Sequence, residues 1–359
     1  MQYQALEKQL PPAAASLAGP RVKLGPFDLE HPFILAPMAG ITNSPFRRLM
    51  RRMKSALVVS ELVSANGIEY SGQKTLDLLR YHDEERIVGL QIFGESAERL
   101  AKACQYVERL GADFVDLNLG CPVPKVVKNG AGSAMCRDPI ALGKTLETMV
   151  KSTKLPVTIK IRTGWEQNCR NAIEVVRVAA EAGVHWVAIH GRTRAQGYSG
   201  QADWDFIGEI KAKSPIPIIG NGDVVTPEQA MERYRTFGVD AVMVGRGALR
   251  NPFLFEQVFA LWNGRSYEPP TVERFLKLIE DQKKTLNESF NPKGAMIHAR
   301  KFLAWYSSGI PGCHEFRKQV FSIPEPEALW EEARAFFSKG VERTDRGYLA
   351  QPFLMGGHG

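Results

Sequence analysis

Eight short runs of apolar, β-branched residues, separated by helical stretches, constrain this chain more than any other feature. The runs cover residues 33–37, 57–60, 88–93, 114–119, 157–161, 186–190, 216–220 and 241–244. They recur roughly every 25–40 residues, the spacing of βα units. Between Ser96 and Leu110 a Ser caps the start, Leu100, Ala103, Cys104 and Val107 share one face, and Gly111 is the stop. Residues 171–182 repeat this plan before Gly183, and Thr226-Pro227-Glu228 puts Pro at a first helical position. Eight such units predict an α/β fold, a (β/α)8 TIM-type barrel, rather than an open sheet. The barrel closes near residue 260, and Asn263-Gly264 with Pro269-Pro270 reads as a linker. The expected layout is a flexible N-terminal extension (1–20), a barrel (21–265), a C-terminal all-helical domain (271–341) and a tail (342–359).

Barrel enzymes keep their chemistry at the C-terminal ends of the strands. Here those ends are Pro37-Met38-Ala39-Gly40, Ser60-Glu61, Gln91, Asn118, Lys160-Ile161-Arg162, His190-Gly191-Arg192, Asn221-Gly222-Asp223 and Gly245-Arg246-Gly247. Polar residues end strands everywhere, but a barrel gathers all eight endings on one face. The last two are Gly-rich. Loops after the seventh and eighth strands often hold a phosphate, because Gly lets backbone N–H groups approach it, and Arg246 adds a forked cation. The ordinary alternative is a pair of tight turns without a ligand. Neither Gly245-Arg246-Gly247 nor Gly130-Ala131-Gly132 extends to a dinucleotide fingerprint.

Lys160 and Arg162 alternate with Ile159 and Ile161, so both point into the barrel. An inward Lys is costly without an anion to meet it. His190 ends the next strand, either as a core residue or as a ligand contact. With Gln91 and Pro37-Met38-Ala39, these residues are suited to a planar group with a phosphate tail. Flavin mononucleotide fits that description, as do other phosphorylated ligands.

Cys121 follows the strand end Asn118-Leu119-Gly120 and precedes Pro122. Free Cys is often buried and inert, and Cys104 on its apolar helix face reads that way. Cys121 sits where chemistry is placed, followed by a cationic loop with Lys125, Lys128, Gly130 and Gly132 that is suited to be a lid. A thiol with an ordinary pKa of about 8.5 is mostly protonated near neutral pH and can donate a proton as well as attack.

The formal charge of +7 mildly favours a polyanionic partner, nucleic acid before membrane. Five Cys without CxxC or Cys/His ligand spacing fit a reducing, cytoplasmic location and argue against a disulfide framework or a metal site. No apolar run reaches the roughly 18 residues of a spanning helix, and residues 1–20 lack the pattern of a secretory signal. Arg47, Arg48, Arg51, Arg52 and Lys54 crowd one helical stretch, as a solvated face or a phosphate-facing stripe. The C-terminal helices add Lys293, His298, Arg300, Lys301, Arg317 and Lys318 near Phe302, Trp305, Tyr306 and Phe316. Cations with aromatics suit RNA, whereas aromatics in a small helical domain usually form its core.

Taken jointly, several segments resemble the tRNA-dihydrouridine synthases. They are Ala36-Pro37-Met38-Ala39-Gly40-Ile41-Thr42, Asn118-Leu119-Gly120-Cys121-Pro122, Thr158-Ile159-Lys160-Ile161-Arg162-Thr163-Gly164-Trp165, Ile189-His190-Gly191-Arg192-Thr193-Arg194, Asn221-Gly222-Asp223 and Gly245-Arg246-Gly247. The likeness spans about residues 20 to 340. The stretch from His298 to Tyr306, followed by Phe316-Arg317, is similar to the C-terminal helices of the B-type bacterial members. Gly247 stands where some relatives have Ala, residues 1–20 are extra, and Arg250-Asn251-Pro252 follows the pattern loosely.

The resemblance implies FMN bound by Pro37, Met38, Ala39, Gln91, Lys160, His190, Asn221, Gly222, Asp223, Gly245 and Arg246. It implies NADPH as reductant, tRNA as partner, and neither membrane nor metal. Hydride transfer to C6 of a uridine with a proton from Cys121 to C5 would give 5,6-dihydrouridine. Asn118, Arg162, Arg192, Arg300 and Lys301 are the expected substrate contacts. Two alternatives stay open: a flavin barrel reducing a small molecule, and a non-catalytic RNA-binding protein.

Overall fold

The computed structural model describes residues 19–70 and 72–342. Eight parallel strands follow one another around a nearly closed barrel: β1 (Phe33–Leu35), β2 (Val58–Val59), β3 (Val88–Phe93), β4 (Phe114–Leu119), β5 (Val157–Arg162), β6 (Val187–His190), β7 (Ile218–Asn221) and β8 (Ala241–Val244). β8 pairs with β1. Two backbone bonds join β1 to the β2 segment: Ala56 N to Phe33 O at 2.9 Å and Leu35 N to Leu57 O at 3.2 Å. The expected barrel is therefore the observed one, with its strands shifted by a residue or two at their ends. The extension expected for residues 1–20 and the tail expected for 342–359 lie almost wholly outside the described residues.

Alternation decides what each face of the barrel does. Outward residues such as Val115, Leu117 and Leu119 pack under the surrounding helices. Inward residues near the strand starts form a second apolar cluster with Phe114, Trp186, Ala188 and Ile219. A hairpin of Val22–Leu24 and Phe27–Leu29 plugs this end. Its Phe27 meets Phe114 and Trp186 with ring centres 5.9 and 6.0 Å apart. Gly89 makes room for this plug, because a β-carbon there would lie 2.1 Å from Phe114. With the bottom sealed by rings, the polar inward residues can face only the other end.

Four helices, Val272–Ser289, Pro292–Tyr306, Cys313–Ser322 and Pro326–Glu342, follow the barrel. Their Phe275, Phe302, Tyr306, Phe316 and Phe337 are buried, so these aromatics form a core. The helices dock beside β1. Phe302 stacks on Phe46 at 5.1 Å, and Asn43 meets His298 Nδ1 at 3.1 Å.

Four of the five cations of residues 47–54 are held by protein partners, while Lys54 is exposed. Arg47 is 1% exposed and pairs with the buried Glu85 at 2.6 Å. Arg48 reaches Glu84 at 2.9 Å and, on the C-terminal helices, Glu288 at 2.8 Å. Arg51 donates to backbone carbonyls, among them Ala56 O at 2.7 Å. The carboxylates of Glu84, Glu85 and Glu288, distant in sequence and invisible in a local reading, absorb the charges of Arg47, Arg48 and Arg52.

Candidate active site

Parallel register brings the strand-end side chains to one level. Lys160 on β5 lies opposite Asn118 on β4, and His190 on β6 lies opposite both Arg162 and Asn221. Together they line a cavity of about 750 Å³ at the C-terminal mouth of the barrel. Pro37, Met38, Ala39 and Gln91 form one side. Gly222, Asp223, Gly245 and Arg246 form the other, and Cys121, Arg162 and Arg192 stand at the rim. Arg300 and Lys301 are not among the lining residues. Arg300 donates to Ile323 O at 2.6 Å inside the helical region. Lys301 lies near Glu61, whose carboxylate takes the Gly40 N–H at the edge of the mouth.

The cavity is strongly cationic. Lys160 donates to Asn221 Oδ1 at 3.1 Å, an amide rather than a carboxylate. Burial and then the nearby Arg162 charge lower its pKa to about 8, against the pull of Asp116. Burial also lowers Arg162 to about 10. Its Nε donates to Gly120 O at 2.8 Å and its Nη1 to Thr193 O and Gly197 O. His190 is held well below its ordinary pKa by burial and by four surrounding cations, so it stays neutral near pH 7. An anion entering the cavity meets Lys160, Arg162 and Arg246 with few local carboxylates to compete.

Arg192, expected to touch substrate, is committed elsewhere. It donates to Ser199 O, Gly200 O and both oxygens of Asp223. These bonds fold the loop after β6 against the turn after β7. That turn needs its residue types: Gly222 has φ 129° and Asp223 has φ 51°. At Gly247 a β-carbon would sit 2.2 Å from Val224 O, so the last two loops approach here with bare backbone between them. At Gly245 a β-carbon would touch only Ala36 and Met38, at 3.6 Å, so bare backbone faces the cavity there. Space for a planar group, exposed backbone, a Lys160 without a carboxylate partner and an Arg246 whose carboxylate, Asp223, stands 3.8 Å away fit a phosphorylated flavin.

Cys121 is half-buried, and burial raises its pKa. Asn118 Oδ1 accepts its N–H at 2.9 Å, and its carbonyl accepts Ser133 Oγ at 3.0 Å. The segment after it is folded: a short helix, Pro124–Val127, then a 3₁₀ turn, Gly132–Arg137. Lys125 and Lys128 are exposed on it. Two contributors were not read from the sequence. Tyr198 lines the cavity with Arg246 and Arg162 over its ring at 4.7 and 5.6 Å. Its signal is an aromatic inside a Gly-rich strand-end loop. Asp116 lies under the cavity, marked only by sharing the inward alternation of Asn118. Outside the cavity lining, Arg137 and Arg194 both lie over the Trp165 ring, at 4.8 and 4.4 Å from its centre.

Among the described residues no group of three or more His, Cys, Asp or Glu is placed to hold a metal, and no helix is long and apolar enough to cross a membrane.

Fold and site together define a (β/α)8 barrel with a cation-lined cavity at its C-terminal mouth. Comparison with known proteins narrows the class: residues 34–340 match the dihydrouridine synthase family. The chain is 37% identical to a probable tRNA-dihydrouridine synthase of Rickettsia conorii, over 89% of this chain and 98% of that one. It is 36% identical to tRNA-dihydrouridine synthase B of Pseudomonas aeruginosa, over 91% and 98%. Histamine dehydrogenase of Rhizobium sp. 4-9 shares the fold at 10% identity, with a TM-score of 0.56 over 92% of this chain and 65% of its own length. The chain belongs to the dihydrouridine synthase family.

Proposed function

We propose that this enzyme reduces uridines of tRNA to 5,6-dihydrouridine, with FMN as bound cofactor, NADPH as reductant and the cytoplasm as its location. The observation that carries the reading is that Cys121 and the cations Lys160, Arg162 and Arg246 line one cavity. Family membership favours tRNA over a small-molecule substrate and catalysis over simple RNA binding.

Pro37, Met38, Ala39, Gln91, Lys160, His190, Asn221, Gly222, Gly245 and Arg246 would hold the cofactor, with Asp223 acting through its turn. Reduced FMN supplies a hydride when bound. Cys121 holds the proton that completes the reduction, since a thiol with a raised pKa keeps its proton near pH 7. Lys160 and Arg162 stabilise negative charge that builds on the base. Asn118 holds the loop carrying the thiol. The uridine must leave its stack to reach the cavity. Lys301, near Glu61, and the Arg137–Trp165–Arg194 cluster suit phosphates and a splayed base.

The test is Cys121→Ala. The variant should keep the flavin absorption band and its bleaching by NADPH, yet form little dihydrouridine in unmodified tRNA by mass spectrometry. Normal turnover would sink the proton-donor role. A colourless wild-type protein purified with its full chain would sink the flavin reading.

A further inference from the structure

Under the cavity lies a buried carboxylate that the proposed chemistry does not use. Asp116 is 3% exposed, on the inward face of β4 two residues before Asn118. It accepts from Thr158 Oγ1 and from Gln91 Nε2, both at 2.7 Å. Gln91 Oε1 accepts from Asn118 Nδ2 at 2.8 Å. Asn118 Oδ1 accepts from Cys121 N at 2.9 Å and from Gly120 N at 3.2 Å.

This chain of bonds has a direction. A carboxylate oxygen accepts, so Gln91 must turn its NH2 group to Asp116 and its oxygen to Asn118. Asn118 must then turn its own NH2 group to Gln91 and its oxygen to the loop. The loop makes the same demand from the other end, where two backbone N–H groups need an acceptor. Four side chains and one loop thus have a single consistent arrangement, and Asp116 is its anchor in the barrel floor. Gln91 and Asp116 are both nearly inaccessible to water, so no solvent replaces a lost partner without cost.

We propose that Asp116 is a positioning residue that, through Gln91 and Asn118, holds the Cys121 loop against the cavity. The proposal rests on the reading of Cys121 as proton donor, but the two fail separately. Alkylation of the thiol reports where the loop sits whether or not the thiol gives a proton, and Cys121→Ala tests the donor role itself.

The experiment compares Asp116→Leu and Thr158→Val in the flavin-loaded, full-length enzyme. Thr158→Val takes one bond from the same carboxylate but leaves the Gln91–Asn118 direction intact. Asp116→Leu should lower kcat about tenfold or more with KM for tRNA within about twofold, as a misplaced group does. The rate at which iodoacetamide labels Cys121, read by peptide mass spectrometry, should change about fivefold or more. Thr158→Val should stay within about twofold of wild type in all three measurements. An Asp116→Leu enzyme with wild-type kcat and labelling would overturn the proposal, as would a Thr158→Val enzyme impaired to the same degree. If Asp116→Leu does not fold, the smaller Asp116→Ala, which likewise offers Gln91 no acceptor, takes its place. A loss of about threefold in kcat is then expected, and wild-type turnover and labelling overturn the proposal.

Discussion

Arg192 grips the carboxylate of Asp223 at two points, 2.9 Å from Nη1 and 2.8 Å from Nη2. The pair joins the loop after the sixth barrel strand to the turn after the seventh, and it holds Asp223 in its left-handed conformation at φ 51°. A planar fork suits this two-point contact, and a Lys ammonium cannot reproduce it. Arg192→Lys is therefore expected to weaken flavin binding about tenfold, roughly 1.4 kcal/mol, with tRNA affinity within about twofold. Flavin fluorescence and filter binding measure the two. A loss confined to tRNA would make Arg192 a direct substrate contact instead.

Lys160 is buried, and its pKa is about 8 rather than the ordinary 10.5. Below pH 8 the folded protein holds this charge at a cost of about 3 kcal/mol, at roughly 1.4 kcal/mol per pH unit. Between pH 8 and 10.5 the unfolded chain binds more protons, so this group raises stability as pH rises. Lys160→Met should thus make the flavin-free protein more stable than wild type at pH 7. The advantage should shrink toward zero near pH 10.5. Urea melts at three pH values test this, and a constant difference would refute it.

The Arg47–Glu85 pair is sealed from water. Glu85→Gln leaves an uncompensated buried guanidinium and should cost about 3–5 kcal/mol by urea denaturation. Arg47→Met together with Glu85→Gln should cost less than Glu85→Gln alone, because no lone charge remains. A double variant as unstable as the sum of its singles would show the two act independently.

Arg137 and Arg194 lie over the Trp165 ring, at 4.8 and 4.4 Å from its centre. If they meet tRNA phosphates, replacing both by Gln should reduce the slope of log Kd against log salt by about 1.4–1.8, at roughly 0.7–0.9 per phosphate contact. Lys301→Gln should reduce it by about half that much. Flavin content should not change in either variant. An unaltered slope would remove these residues from the RNA surface.

Much of the fold was legible because strand and helix periodicities are local. The runs at 88–93, 114–119 and 241–244 coincide with strands of the structure, and the stops at Gly111 and Gly183 adopt positive φ, 77° and 88°. The helical pattern after residue 270 was equally plain. What failed was charge. Arg47 and Arg48 looked like surface because the carboxylates that meet them, Glu85, Glu84 and Glu288, are distant in sequence. The Asp223 partner of Arg192, 31 residues away, is hidden from a local reading for the same reason.

By itself the sequence determined which residues alternate inward on each strand and which loops can bend on Gly, since both depend on neighbours one to four residues apart. Only the tertiary structure decided how those residues meet. Parallel register sets Lys160 beside Asn118 and His190 beside Asn221. The Phe27–Phe114–Trp186 plug leaves one open end for the polar positions. Hydrogen bonds across strands then divide the cations into those held by protein partners and those that face the cavity. Side-chain partners are chosen by distance in space, and a chain of residue types carries that information only after it has closed into a barrel.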